Sequence, residues 1–455
     1  MQERGFDGSN TSSAFSAFSA SIGFAGARAR WRKDTFNLVC ERIAFYNVFV
    51  DLFKGVFLVF QGSTGFSKSH DPKVAAKEAV TLARSALGDL TPDFALLFAT
   101  VGYEQRELLA AFSAQLGDVP IIGCSGVGVI SGERGDESNF SVALALFSSD
   151  TVGFELGFAS SVHENPEAAG SLLDRSIERV EREGGGEVLA VLLFVDGVHV
   201  NLDRVVSAIQ SEKPIFGGAA GDNWKILKTY QYYRGAAHSG GMCWAIIHGE
   251  GLVDWSLSHG CIPVGGMKTV TKARGNELYE IDGQCVLDVL SEYLESSQIN
   301  TWDSPIGNIS LGFEAPKSFE SGDDPYEYLI THVAPTEGDA RMGRVVIPRE
   351  IEEGTKVWIM RRSLDRIVQG NQTMAQSLKA RHRDETPAFV LHVDCASRGR
   401  VCFGEKKKSD LLLKLQRDFA PTAPWIGFYS YGEFCPVSCL NCGHCYTAVL
   451  FALYL

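Results

Sequence analysis

No stretch of this 455-residue chain reaches the roughly 18–20 uninterrupted apolar residues that a membrane-crossing helix needs. The best candidate, residues 43–60, is broken by Asn47, Asp51 and Lys54, and the apolar tail, 447–455, is short and reads as a buried strand. Positive charge is also scarce. The 42 Lys+Arg against 55 Asp+Glu leave a net charge of −13. That balance sets the chain apart from generic nucleic-acid binders, whose phosphate contacts need clustered cations. The one basic run, Lys406, Lys407 and Lys408, is expected to be a solvated turn or helix end. There is no His-Glu-x-x-His, no Gly-Lys-Ser/Thr closing a phosphate loop, no Ser–His–Asp order and no dinucleotide glycine pattern with its following acid. With no catalytic constellation recognised, the chain reads as a non-enzyme.

What is present is ordinary for a globular protein: 45% hydrophobic and 21% charged residues. The length suggests two or three domains. Eleven cysteines are an odd number, and most are widely scattered. A secreted disulfide framework would be small, dense and even-numbered, so a reducing cytoplasm is the expected location. The first 55 residues differ from the rest. Residues 9–33 carry no acid, contain Arg28, Arg30, Arg32 and Lys33, and hold a near-repeat of Ser-Ala-Phe. Such a composition fits a transit peptide; the preferred expectation is a disordered extension outside the core.

Beyond it a unit recurs. An apolar run at 94–102 is followed by a helical stretch, 104–116, with Leu108, Leu109, Phe112 and Leu116 on one face, and then by Pro-Ile-Ile-Gly-Cys-Ser-Gly-Val-Gly at 120–128. The pattern returns as the run 189–197, the stretch 202–209 and Pro-Ile-Phe-Gly-Gly-Ala-Ala-Gly-Asp at 214–222. A fainter third copy comprises 389–394, 410–419 and Pro-Trp-Ile-Gly-Phe-Tyr-Ser-Tyr-Gly at 424–432. Recurring strand, helix, strand and glycine turn predicts an α/β protein with largely buried mixed sheets. Ligands of such sheets sit where loops leave the strand ends. The three glycine turns therefore either line related pockets or simply permit close packing.

Several residues are candidates for chemistry. Cys124, among Gly123, Gly126 and Gly128, offers a thiol nucleophile, but a reactive thiol needs a thiolate-stabilising neighbour and none is near in sequence. A small buried cysteine is the alternative. Cys435, Cys439, Cys442 and Cys445, with His444 among them, are dense enough for zinc or an iron–sulfur cluster. The spacing gives neither paired Cys-x-x-Cys knuckles nor the chain length a radical-SAM barrel would need downstream, and no bound metal is expected. Acidic groups recur at turns: Asp222, Glu280, Asp282 and Glu433. Arg398 follows the third strand; it either holds a ligand carboxylate bidentately or pairs with Asp394 or Glu405.

The stretches at 120–128, 216–222 (Phe-Gly-Gly-Ala-Ala-Gly-Asp), 278–283 (Leu-Tyr-Glu-Ile-Asp-Gly) and 427–433 (Gly-Phe-Tyr-Ser-Tyr-Gly-Glu) together resemble the signatures of the FIST family. The resemblance runs from about residue 56 to the end. It implies an intracellular sensory protein of two associated sub-domains, a FIST N-like part at 56–275 and a FIST C-like part at 276–455, with 1–55 outside. It further implies a small ligand, an amino acid or similar metabolite, read by a separate signalling protein such as a histidine kinase. A family subgroup resembles haem-based gas sensors, which makes haem at His444 an alternative; a thiol enzyme using Cys124 is another. At the C-terminal end His444 and Thr447 keep the family's His-Asn-x-Thr pattern, with Cys445 in place of Asn. The expected ligand site lies between the two halves: Arg398 for a carboxylate, Asp222, Asp282 and Glu433 for an ammonium, the backbone at Cys124 and Ser125, and His444 beside them.

Overall fold

The computed structural model describes residues 60–132, 134–293, 309–316, 327–333, 337–383 and 385–455. The expected N-terminal extension, 1–55, lies outside the described residues. The three copies legible in the sequence are three structural units, each a strand, a helix, a buried central strand, a second helix and a second parallel strand. In the first, Asp71 caps the helix Pro72–Leu87 by accepting from the N–H groups of Lys73 and Val74, the strongest local start signal a helix can carry. Its buried face is mostly alanine, Ala75, Ala76, Ala79 and Ala83. These small side chains let the helix lie so near the strand Phe60–Ser67 that a Cβ on Gly65 would fall 1.9 Å from the Ala79 carbonyl oxygen. The next helix is Gln105–Leu116, capped by Glu104 and burying Leu108, Leu109, Phe112 and Leu116, the face expected from spacing.

Each unit builds a six-stranded sheet, and each sheet is completed by its neighbour. The first runs Phe60–Ser67, Val142–Ser149, Phe94–Ala99, Ile121–Ser125, Gln231–Tyr233, Ala236–His238. The second runs Leu440–His444, Gly432–Val437, Ile215–Ala219, Glu187–Val195, Met242–Gly249, Val152–Ala159. The third runs Leu252–Ser258, Ala448–Tyr454, Phe389–Cys395, Trp425–Ser430, Gly128–Ser131, Arg134–Asp136. In every sheet one central pair is parallel and the other pairs are antiparallel. The hairpin after each Pro-x-x-Gly strand leaves its own sheet and adds to the edge of another, so the three sheets exchange strands in a ring.

The recurring glycine has one physical reason. A Cβ at Gly123, Gly217 or Gly427 would fall 1.9, 2.1 or 1.8 Å from a backbone carbonyl oxygen of the adjacent parallel strand, that of Leu97, Leu193 or His392. No side chain fits there. The glycine turns are thus crossing points between sheets.

Two features depart from expectation. A fourth sheet, built on Glu277–Ile281, Lys268–Arg274, Lys356–Arg362, Ile309–Glu314 and Tyr328–His332, is inserted in the third unit between the strand Leu252–Ser258 and the helix Leu364–His382. The last helix, expected from residue 410, starts at Arg400 and bends at Gly404 (φ 71°, ψ 163°). The basic run lies on it and is not wholly solvated. Lys408 is buried with its Nζ 2.5 Å from Asp394 Oδ2, because a buried carboxylate must be paired. Among the described residues no helix is long and apolar enough to cross a membrane.

Candidate functional site

The second and third units meet at a cavity of about 510 Å³, within the range that holds a small-molecule ligand. Residues 197–201 follow the central strand Glu187–Val195, and residues 395–397 end the central strand Phe389–Cys395. Ser430 and Tyr431 form the third crossing, Cys445 and Tyr446 follow its hairpin, and Trp224 and Ile226 come from the loop after the second crossing. The inserted sheet closes one side with Asn276, His332 and residues 346–348. The cavity therefore opens where loops leave the carboxyl ends of two central strands.

Behind this surface lie buried acids. Asp196 accepts from the Val198 N–H (3.3 Å), from the Thr229 hydroxyl, and from the His199 ring at Nδ1 (2.9 Å), which orients His199 on the wall. Glu433 is fully buried; it accepts from the Ser430 hydroxyl (2.6 Å), the Thr447 N–H (3.2 Å) and the Cys395 thiol. Burial pushes its carboxyl up to about 8. His332 Nδ1 lies 2.8 Å from the Tyr446 hydroxyl, and burial, then the Arg362 charge, push its ring down to about 4. Burial likewise raises the thiols on the wall, Cys445 to about 12 and Cys395 well above its ordinary value. Both are neutral at physiological pH.

None of the seven residues expected from sequence lines the cavity. Cys124 is fully buried in the core and burial raises its thiol. Ser125 is spent joining units: its Oγ donates to the Gly221 carbonyl (2.8 Å) and accepts from the Tyr230 N–H (3.0 Å). Asp222 holds its own loop, accepting from the N–H groups of Ile226 (2.9 Å), Leu227 (2.7 Å) and Lys228 (3.0 Å) and from the Tyr431 hydroxyl (2.7 Å). Asp282 sits on the inserted sheet, half-exposed, accepting from the Thr269 N–H (2.8 Å). Arg398 is fully buried and donates to Asp394 (2.9 Å), to the carbonyls of Ser258 (2.8 Å) and His259 (2.9 Å), and to Asn371 (3.1 Å). The ion-pair alternative with Asp394 describes it, and no donor pair remains for a carboxylate. Asp222 and Glu433 do back the cavity, through Tyr431 and Ser430. Sequence reasoning missed His199, Asn201, Trp224, Asn276, His332, Tyr431 and Tyr446. His199 was within reach, two residues past the recognised run 189–197, whose end should face a ligand.

The cysteine-rich segment is a hairpin. Cys435 and Cys442 face each other across it, Cys439 is exposed at the turn, and Cys445 reaches the cavity. Among the described residues no three His, Cys, Asp or Glu side chains gather as a metal set. His444 does not fit a haem ligand: its fully buried ring is bonded through Nε2 to the Cys435 carbonyl (2.9 Å) and it lines neither described cavity.

Comparison with known proteins matches residues 93–284 to the FIST N domain and 287–436 to the FIST C domain. The uncharacterized protein Rv0628c of Mycobacterium tuberculosis is 24% identical over 393 residues, covering 84% of this chain and 97% of its own. The uncharacterized protein MJ1623 of Methanocaldococcus jannaschii is 36% identical over 84 residues, 18% of this chain and 16% of its own. Among solved structures, a chorismatase crystal structure aligns over 88% of this chain and all of that one, at 8% identity and a TM-score of 0.32. At that TM-score the likeness carries no argument about activity.

Proposed function

The chain belongs to the FIST family, whose domains are sensory domains of signal transduction, and from that premise we propose that it senses a small metabolite, an amino acid or a similar compound, in the cavity between its two halves and reports occupancy to a separate protein. One observation carries the reading: the cavity is walled by both halves, with residues 197–201 and Trp224 from one and residues 395–397, Tyr431 and Tyr446 from the other. A ligand there touches both and shifts their balance by its differential affinity. The inserted sheet closes the cavity with His332 and residues 346–348, so occupancy bears on a surface a partner can read. A histidine kinase in the cytoplasm is the partner class this reading favours.

The test is a thermal-shift screen of amino acids and other metabolites on the parent and on Val346→Trp, which fills the cavity mouth. Ligand at a hundred times its dissociation constant adds roughly 2.7 kcal/mol of stability. Compounds that raise the parent's melting temperature should leave the variant unmoved. Equal shifts in both would place the ligand elsewhere.

A further inference from the structure

Among the described residues the cavity wall carries no Asp, Glu, Lys or Arg side chain. Its polar groups are imidazoles, amides and hydroxyls: His199, His332, Asn201, Asn276, Ser430 and Tyr431. Several charges behind it are already matched, and the Glu350 carboxylate accepts from the wall's own Asn201 Nδ2 (3.1 Å). His199 faces the buried Asp196 carboxylate (2.9 Å), Asp222 holds three N–H groups and a hydroxyl, and the Arg362 guanidinium donates to the Ser397 carbonyl (2.6 Å) and lies 5.5 Å from the Tyr446 ring centroid. A carboxylate or ammonium entering such a wall would shed its hydration and meet no counter-charge among the described lining side chains. A neutral molecule would shed little and bond to the His199 Nε2 and the Asn276 Oδ1, the Nδ1 of that ring and the Nδ2 of that amide being held by Asp196 (2.9 Å) and the Ile347 carbonyl (3.2 Å).

The wall is also aromatic where the chain is most strained. Asn223, Trp224 and Ile226 have φ of 55°, 64° and 52°. The left-handed region is uncommon for any residue with a Cβ and an outlier for a β-branched one. The loop is held there by the Asp222 carboxylate and by the Tyr431 hydroxyl, which accepts from the Trp224 N–H (2.7 Å) while donating to Asp222. The result sets the Trp224 and Tyr431 rings 5.7 Å apart on the cavity wall. Strain of this kind persists where surroundings over-determine it, and it clusters at ligand clamps. The backbone of the loop is held by Asp222 and Tyr431, and the indole packs on the cluster of Val127, Ile130, Ala396, Leu412 and Tyr429 while facing the cavity.

Resting on the reading of the cavity as the ligand site, and narrowing its ligand away from a free, zwitterionic amino acid, we infer that the ligand is an uncharged molecule bearing a planar ring, seated against Trp224 and Tyr431 and hydrogen-bonded by the neutral polar wall, with Trp224 as the specificity-determining residue.

The test uses three probes with one ring and different charge, benzamide, benzoate and L-phenylalanine, with L-glutamine as a ringless amino acid. Affinities are measured by ligand-observed NMR on the full chain, on Trp224→Gly and on Val346→Trp. Glycine accepts the left-handed backbone, so the first variant removes the indole without adding strain. Benzamide should bind at least about tenfold more tightly than the other three, and Trp224→Gly should weaken it about tenfold while its melt, though lowered by the lost packing, stays cooperative. Benzoate or an amino acid binding as tightly as benzamide, and lost in Val346→Trp, would overturn this inference while leaving the cavity reading intact. Benzamide binding that survives both variants would overturn both readings. If none of the probes binds, the inference fails.

Discussion

At the scale of single residues, the buried charges divide into those that stabilise the fold and those that oppose it. Asp394 is fully buried, yet its carboxyl is held at about 2, because the charges of Lys408 and Arg398 outweigh the burial that alone would raise it. Its folded value lies below the ordinary one, so its contribution is present above about pH 4 and is lost as pH falls toward about 2. Replacing Arg398 by Met should leave that charge under-paired and cost about 3–5 kcal/mol in urea unfolding. Glu433 behaves in the opposite sense. Its folded value of about 8 lies above the ordinary one, so the folded state holds the extra proton and stability falls as pH rises from about 4.5 to 8. Glu433→Gln should therefore melt higher than the parent at pH 8, with the gap closing toward pH 5; a constant gap would mean the group titrates normally. How far such residues were legible follows from their surroundings. The sequence places Arg398 four residues after Asp394, a spacing that suggests a pair. Nothing local marks Lys408, because it is buried only when its helix meets the third sheet. Tyr431 and Trp224 face the cavity through segments distant in sequence, and their roles needed the fold.

At the scale of elements, the most legible feature was the thrice-repeated Pro-x-x-Gly strand. The carbonyl oxygens at 1.8–2.1 Å from the three hypothetical Cβ positions explain why glycine recurs there. Gly427→Ala should destabilise by about 3 kcal/mol, since a rigid backbone atom cannot yield. Gly266→Ala, where a Cβ meets nothing within 4 Å, should stay within about 0.5 kcal/mol of the parent. Paired denaturation curves check both; equal effects would show that the crossing strands relax. Helices with capped starts and one apolar face, such as Gln105–Leu116, were placed to within a residue. The inserted sheet was not. Its strands share no repeat with the three units, Lys268–Arg274 is mostly exposed or half-buried and shows no clean alternation, and the pairings join residues as far apart as Cys261 and Arg362.

At the scale of the whole molecule, the two family halves are interlocked rather than merely adjacent. The hairpin 128–136 of the first half completes a sheet of the second, and the hairpin 432–444 of the second completes a sheet of the first. Residues 58–286 and 287–455 expressed apart should each fail to give a cooperative melt, because each leaves a sheet edge unpaired and a core face exposed. Expressed together they should recover one. Independent melting of either piece would show that the exchanged strands are dispensable. The same interlocking places the cavity between the halves and makes it the central claim. Hydrogen exchange, with and without the first compound that raises the melting temperature, tests this most directly. Protection concentrated at residues 196–201, 222–228, 395–397 and 445–447 is the predicted result. Protection centred instead on the smaller cavity of about 350 Å³ near residues 257–263 and 366–373, with those four segments unchanged, would contradict it.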